Sequence, residues 1–198
     1  MKTLEDKNIG FALTGSHCTL DKVLPALETV SKNCKNIYPI MSKSVTKTKT
    51  KFGSPEKWIK KVEEITNSNI INSIPAAEPI GPGKLLDLLI IAPCTGNTMA
   101  KISNGIIDET VVMAAKAQLR NMRPILIAVA TNDALGLNAT NLASLLNTRH
   151  IYFVPFGQDN IHDKPNSLIA RMDLIYKSAQ RALEGHQIQP ILIEYRGI

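Results

Sequence analysis

Short aliphatic runs alternate along this chain with segments whose apolar residues recur every three or four positions. Residues 8–13 predict a first strand that ends at Thr14-Gly15-Ser16. Residues 17–32 predict a helix with Val23, Leu24, Leu27 and Val30 on one face. Residues 36–41 predict a second strand, closed by Ser42. Residues 45–52 alternate Thr with Lys, the pattern of either an exposed strand or a mobile loop. Residues 55–66 predict a helix, with Pro55 at its start and Trp58, Ile59, Val62 and Ile65 as its apolar face. A third short strand is expected at 69–74. Pro75, Pro79, Gly81, Pro82 and Gly83 then predict a rigid connection with no room for a helix.

The second half repeats the alternation. Residues 85–92 are nearly all aliphatic, which predicts a strand buried on both faces, as in a parallel sheet. Helices are expected at 98–103 and 109–120, and a buried strand at 124–130 ends in Thr131-Asn132-Asp133. A helix at 138–147 and a strand at 151–155 follow. Residues 156–167 read as a polar surface loop, either folded over a site or a plain connector. Residues 167–184 predict a long amphipathic helix, and 191–195 a terminal strand or arm. This order predicts an α/β, doubly wound, Rossmann-like fold with a mostly parallel sheet. We expect one domain over 1–198, with its C-terminal helix and tail beginning near residue 167. Ligands of such sheets bind beyond the carboxyl ends of the strands, near the switch in strand order. The polar turns that end the strands should therefore gather along one rim.

Composition narrows the function classes. The 198 residues are 44% hydrophobic, and no tract is long enough to span a membrane. Met1 to Lys7 lacks the apolar stretch of a secretory signal. Cys18, Cys34 and Cys94 are odd in number and show no Cys-x-x-Cys spacing, which fits a reducing cytoplasm and gives no metal site. The net charge of +6 resides in residues 43–61, where seven lysines face Glu56 alone. That segment is a solvated loop, or it attracts a small polyanion or an acidic partner. No nucleic-acid module accompanies it, so no nucleic-acid partner is expected.

Thr95-Gly96-Asn97-Thr98 is the most informative turn, because a buried strand empties there into a helix start. Free N–H groups at a helix start favour an anion, and the hydroxyls and amide add directional hydrogen bonds. Thr14-Gly15-Ser16 sits at the equivalent place after the first strand, either as a plain cap or as a phosphate contact. Neither a dinucleotide fingerprint nor a P-loop is present. The expected ligand residues are Gly15, Ser16, Ser42, Thr95, Gly96, Asn97, Thr98, Thr131 and Asn132, with Asn104 and Asp108 as weaker extensions. His17 and Cys18 are adjacent, so on a helix they point about 100° apart and make no Cys–His couple. A buried Cys beside a ligand-lining or surface His is the expectation. No catalytic residue is assigned.

Ala-Pro-Cys-Thr-Gly-Asn-Thr-Met-Ala-Lys-Ile-x-x-Gly-x-x-Asp at 92–108 resembles the signature of the FMN-binding flavoproteins that include phosphopantothenoylcysteine and lantibiotic-peptide decarboxylases. The Thr-Gly-Ser turn and Ser42 match that family's phosphate-binding positions. The resemblance covers about residues 8–155 and implies a flavoprotein-type fold, an FMN or phosphate pocket and a homo-oligomer, a trimer or a multiple of one. Stretches at 10–19, 130–138, 153–159 and 164–167 extend the likeness, within that family, to a sporulation oxidoreductase. The extended likeness implies a small dicarboxylate substrate, a companion polypeptide that brings NAD(P), and residence in the mother-cell cytoplasm. Two departures separate the chain from the decarboxylases. Residues 76–82 lack the His that those enzymes carry before the signature strand, and Ala130-Thr131-Asn132-Asp133 replaces their Pro-x-Met-Asn. Gly96 also stands where Ala is usual. Cysteine decarboxylation is therefore not expected, and a pocket that keeps its phosphate cradle without flavin is an open alternative.

Overall fold

The aliphatic runs form one seven-stranded sheet in the computed structural model, which describes residues 3–193. β1 (Asn8–Leu13), β2 (Asn36–Met41), β3 (Leu88–Cys94), β4 (Ile125–Thr131) and β5 (Ile151–Phe153) are parallel, in the spatial order β2-β1-β3-β4-β5. All seven residues of β3 are buried, as are six of β4, so both faces of the central strands are covered. β4 divides its outer edge. Residues 125–127 pair with β5, while Ala130 and Thr131 pair antiparallel with β7 (Leu168–Ala170), which in turn pairs with β6 (Phe156–Gln158).

Helices cover both faces. α1 (Leu20–Lys32) packs with α8 (Ile175–Leu183) and α3 (Pro55–Thr66), while α6 (Thr110–Arg120) crosses between β3 and β4. Crossovers of one hand place α1 and α6 on opposite faces, because β1→β2 and β3→β4 progress in opposite directions. α1 buries Val23, Leu24, Leu27 and Val30, the stripe that its spacing predicted. α3 begins with Pro55 in its first turn behind Ser54, whose hydroxyl accepts from Lys57 N at 3.4 Å, and ends at left-handed Asn67.

Several sequence expectations need correction. Residues 43–47 form α2 (Lys43–Lys47), where either an exposed strand or a loop was expected from residue 45, and the rest of that stretch holds a bridge between Thr50 and Gly53. Residues 69–74 supply one bridge, Ile71 to Ile40, rather than a strand. The proline-rich connection contains α4 (Ile74–Ala77) and a 3-10 turn at Glu78–Ile80. Pro75 and Pro79 occupy first-turn positions, where a missing N–H costs nothing, and Ser73 caps Ala76 N at 3.3 Å. Residues 167–184 are not one helix. β7, a 3-10 turn at Met172–Leu174 and α8 divide them, because the end of β4 offers an open edge that β7 fills. The polar loop after 155 likewise begins as β6. Ile191 and Ile193 bond the backbone of Phe156, Leu192 makes a bridge to it, and residues 194–195 of the expected terminal strand or arm lie outside the described residues.

Candidate functional site

β1 lies at the switch point, with β2 on one side and β3 on the other, so a crevice opens beyond its carboxyl end. Thr14, 1% exposed, closes the floor of that crevice. Its hydroxyl donates to Pro93 O at 2.7 Å and accepts from Thr95 N at 3.0 Å, which ties the turn after β1 to the turn after β3. Above it is a cleft of about 480 Å³ that brings together Gly15, Ser16, Thr95, Gly96, Asn97, Thr131 and Asn132. Seven of the nine expected ligand residues thus share one cleft. Ser42 and Thr98 do not line it. Ser42 is 2% exposed, beside Leu13, to which its N–H donates at 3.0 Å, and Thr98 is buried under Thr95.

The β3/β4 end of the cleft is internally bonded. α5 (Gly96–Ser103) is capped by Thr95, whose hydroxyl accepts from Thr98 N at 3.3 Å and lies 3.0 Å from Thr98 Oγ1. Asp133 accepts from the Thr131 hydroxyl and, at 2.7 Å, from Asn138 Nδ2. Asn141 on α7 (Ala139–Leu146) donates to Asn138 at 3.0 Å, and Asn104 donates to Asn141 at 3.1 Å. This network clasps the start of α5. A Cβ on Gly96 would lie 2.6 Å from Asn138 Nδ2, 2.7 Å from Asp133 Oδ1 and 2.8 Å from Thr131 Oγ1. The glycine in the signature is thereby explained, since Asp133 and Asn138 occupy the space a methyl would need. Asn104 belongs to this clasp rather than to the cleft. Asp108 pairs with Lys101 at 2.8 Å, and that ammonium holds its carboxyl below the usual carboxylate range.

The β1/β2 end is different. A 3-10 turn at His17–Thr19 leads into α1, with Ser16 Oγ 3.0 Å from Thr19 Oγ1. A Cβ on Gly15 would collide with Ser44 Oγ, so the turn and the first turn of α2 are in close contact. His17 lines the cleft with Nε2 3.5 Å from Ser44 Oγ, while its Nδ1 is buried without a partner among the described residues. Ser42 Oγ is buried and unpartnered in the same sense. Burial holds the His17 ring below the ordinary imidazole pKa. Cys18 is exposed in the cleft rather than buried, because the 3-10 turn presents it outward. The buried cysteine is Cys94, whose thiol burial pushes upward, away from the reactive thiolate.

Sequence reasoning missed the walls. Thr50 and Phe52 come from the lysine-rich segment, and Leu168 and Ile169 from β7, while Asp133 joins Thr131 and Asn132 in the turn expected on the rim. Asp159, Lys164 and Ser167 come from the loop that was expected either to fold over the site or to be a plain connector. Among the described residues, no lysine of 43–61 lines the cleft. Lys57 donates to Phe52 O at 3.0 Å and sits 4.4 Å from the Trp58 ring centre, and Lys61 pairs with Asp21 at 2.9 Å. Lys57 thus pins the segment that carries Thr50 and Phe52, while Lys61 ties α3 to α1. Among the described residues, the lysine on the cleft lining is Lys164.

A doubly wound sheet with a polar cleft at its switch point is a ligand-binding α/β architecture, and this chain belongs to the flavoprotein family, whose profile, described as Flavoprotein, matches residues 1–174. It is similar to the B subunit of dipicolinate synthase from Bacillus subtilis (strain 168), with 48% identity over 198 residues, 100% of this chain and 99% of that protein. The crystal structure of the dipicolinate synthase B subunit from Bacillus halodurans C aligns at a TM-score of 0.89 and 47% identity, covering 98% of this chain and 99% of that one. The FMN-dependent cysteine decarboxylase SpaF shares the fold at a TM-score of 0.64 and 16% identity, over 91% of this chain and 99% of its own. Among the described residues, no helix is long and apolar enough to cross a membrane.

Proposed function

We propose that this protein is the B component of a dipicolinate synthase, acting with the synthase's A component to oxidise dihydrodipicolinate to dipicolinate during sporulation, with FMN in the switch-point cleft. The observation that carries this reading is 48% identity, over the entire chain, to a dipicolinate synthase B subunit. The cleft supports its cofactor half. The hydroxyls of Ser16, Thr19 and Ser44 and the His17 ring gather at the β1/β2 end, where a phosphate accepts hydrogen bonds. The orphaned Ser42 Oγ and His17 Nδ1 are the kind of buried polar atoms that a ligand satisfies. Gly15 and Ser16 would serve the phosphate from the cleft wall, with Ser42 buried behind them, while Thr95, Gly96, Asn97, Thr131 and Asn132 would shape the ring's end over the buried Thr98.

Bound FMN supplies a hydride acceptor, which aromatising a dihydropyridine needs. The chain's own part is placement and charge. Phe52 brings an aromatic ring to the cleft wall, Lys164 offers a cation for a substrate carboxylate, and the bonded β3/β4 end keeps the walls fixed. NAD(P) would enter through the A component. We read the whole chain as one flavoprotein-like domain, working as a homo-oligomer, a trimer or a multiple of one, in the mother-cell cytoplasm of a spore-former. A decarboxylase acting alone is disfavoured, since residues 76–82, around the 3-10 turn, offer no His.

Reconstitution tests the proposal. Purified protein, FMN, the A component and NAD(P) are combined with dihydrodipicolinate, and dipicolinate is followed by absorbance. Turnover that needs both polypeptides and FMN supports the reading. Turnover by the A component without this protein would reduce it to a scaffold, and a protein without affinity for FMN would remove the flavin.

A further inference from the structure

We propose that His17 recognises the ligand's phosphate by taking up a proton as the dianion binds, so that ligand affinity in this cleft is linked to pH. This rests on the FMN reading of the cleft. The ring stands on the cleft wall between Ser16 and Cys18, one face of the phosphate end, with Ser44 Oγ 3.5 Å from Nε2. That is a weak contact, and Nδ1 has no partner at all among the described residues. A neutral imidazole must carry its proton on one nitrogen and a lone pair on the other. With Nδ1 orphaned and Nε2 held only by the long Ser44 contact, the free protein leaves hydrogen-bonding capacity of this ring unused.

Burial lowers the ring's proton affinity in the free protein, so near neutral pH it is uncharged. The charged groups on surrounding elements are Asp21 on α1, Lys43 and Lys47 on α2, Asp133 after β4, and Asp159 and Lys164 on the lip. None of these is a cause of the shift, and burial alone accounts for it. A phosphate dianion arriving beside the ring favours the imidazolium, which raises its pKa in the complex. The sign follows. Affinity is flat below the free ring's pKa, falls between the free and bound values, and flattens again above the bound value.

Titration calorimetry of the whole protein with FMN, at about pH 7.5 in buffers of different ionisation enthalpy, counts the protons, since the phosphate itself is then largely dianionic. The expected result is uptake of about half to one proton per FMN, and none for riboflavin, which lacks the phosphate. Affinity for FMN should fall by up to about tenfold per pH unit in the linked range. His17→Gln keeps a hydrogen-bonding side chain without a titrating group and should abolish both the uptake and the pH slope. Independently of any variant, NMR of histidine-labelled protein should show one of its four rings becoming an imidazolium on FMN addition. FMN binding with no proton uptake, uptake that survives His17→Gln, or no ring changing state would overturn the assignment of His17 while leaving the flavin reading intact. Failure of FMN to bind would overturn both.

Discussion

At the β3/β4 end of the cleft, Thr95, Thr98, Thr131, Asp133 and Asn138 bond one another, whereas at the β1/β2 end His17 Nδ1 and Ser42 Oγ are buried with no partner among the described residues. Both ends are strand-end turns of the same sheet, and Thr14 bolts them together. The two ends divide the labour. Polar groups that satisfy each other set the shape of a site before any ligand arrives, and their loss costs stability. Polar groups left unsatisfied cost the free protein stability and return it on binding. The turn at 95–98, which the sequence marks most strongly, belongs to the first kind. Asp133, bonded to Thr131 and Asn138, fills the space beside Gly96.

Thr14→Val gives the largest expected effect, because it strikes the bolt itself. The valine leaves the buried Pro93 carbonyl and Thr95 N–H without partners, which destabilises the fold by about 2–4 kcal/mol. Urea denaturation reads that loss directly. A shift below about 0.5 kcal/mol would mean that the two turns hold together without this hydroxyl. Gly96→Ala comes next and attacks the bonded end. Its methyl meets three atoms that are tied to one another, so none can yield cheaply, and the expected loss is about 1–3 kcal/mol. For a chain of this size each kcal/mol lowers Tm by about 2–4 °C, measurable by calorimetry. An unchanged Tm would show that the Asp133–Asn138 clasp is loose.

Ser42→Ala sharpens the comparison from the other end. Removing a buried hydroxyl that has no partner should leave Tm unchanged or slightly raised, while FMN binding weakens by about three- to tenfold. Stability lost without any loss of FMN affinity would place Ser42 among the structural residues and erase the contrast between the two ends.

The central strands were legible in the sequence because burial on both faces writes itself as unbroken aliphatic runs at β3 and β4. α1 and α3 were legible because their apolar stripes are local. β6 and β7 were not, since three-residue strands gain their identity from a distant edge, here the end of β4 that β5 leaves free. α4 was hidden by prolines that read as helix breakers but sit where a first turn accepts them. The cleft followed the same logic. Residues fixed by strand ends, such as Gly15, Thr95 and Asn97, could be placed by topology. Thr50, Phe52, Asp159 and Lys164 stand on segments whose position depends on tertiary pairing, which no local pattern records. Ser42 is a middle case. Its place after β2 was legible, but its burial was not, because that depends on Leu13 lying across from it.

A phosphate at the β1/β2 end of the cleft is what sets the two ends apart. Fluorescence titration of the protein with FMN and with riboflavin, which differ only in that group, tests it most directly. Charge-assisted hydrogen bonds to a phosphate contribute about 1.5–3 kcal/mol each, so FMN should bind at least about a hundredfold more tightly. Equal affinities for the two flavins would contradict the claim.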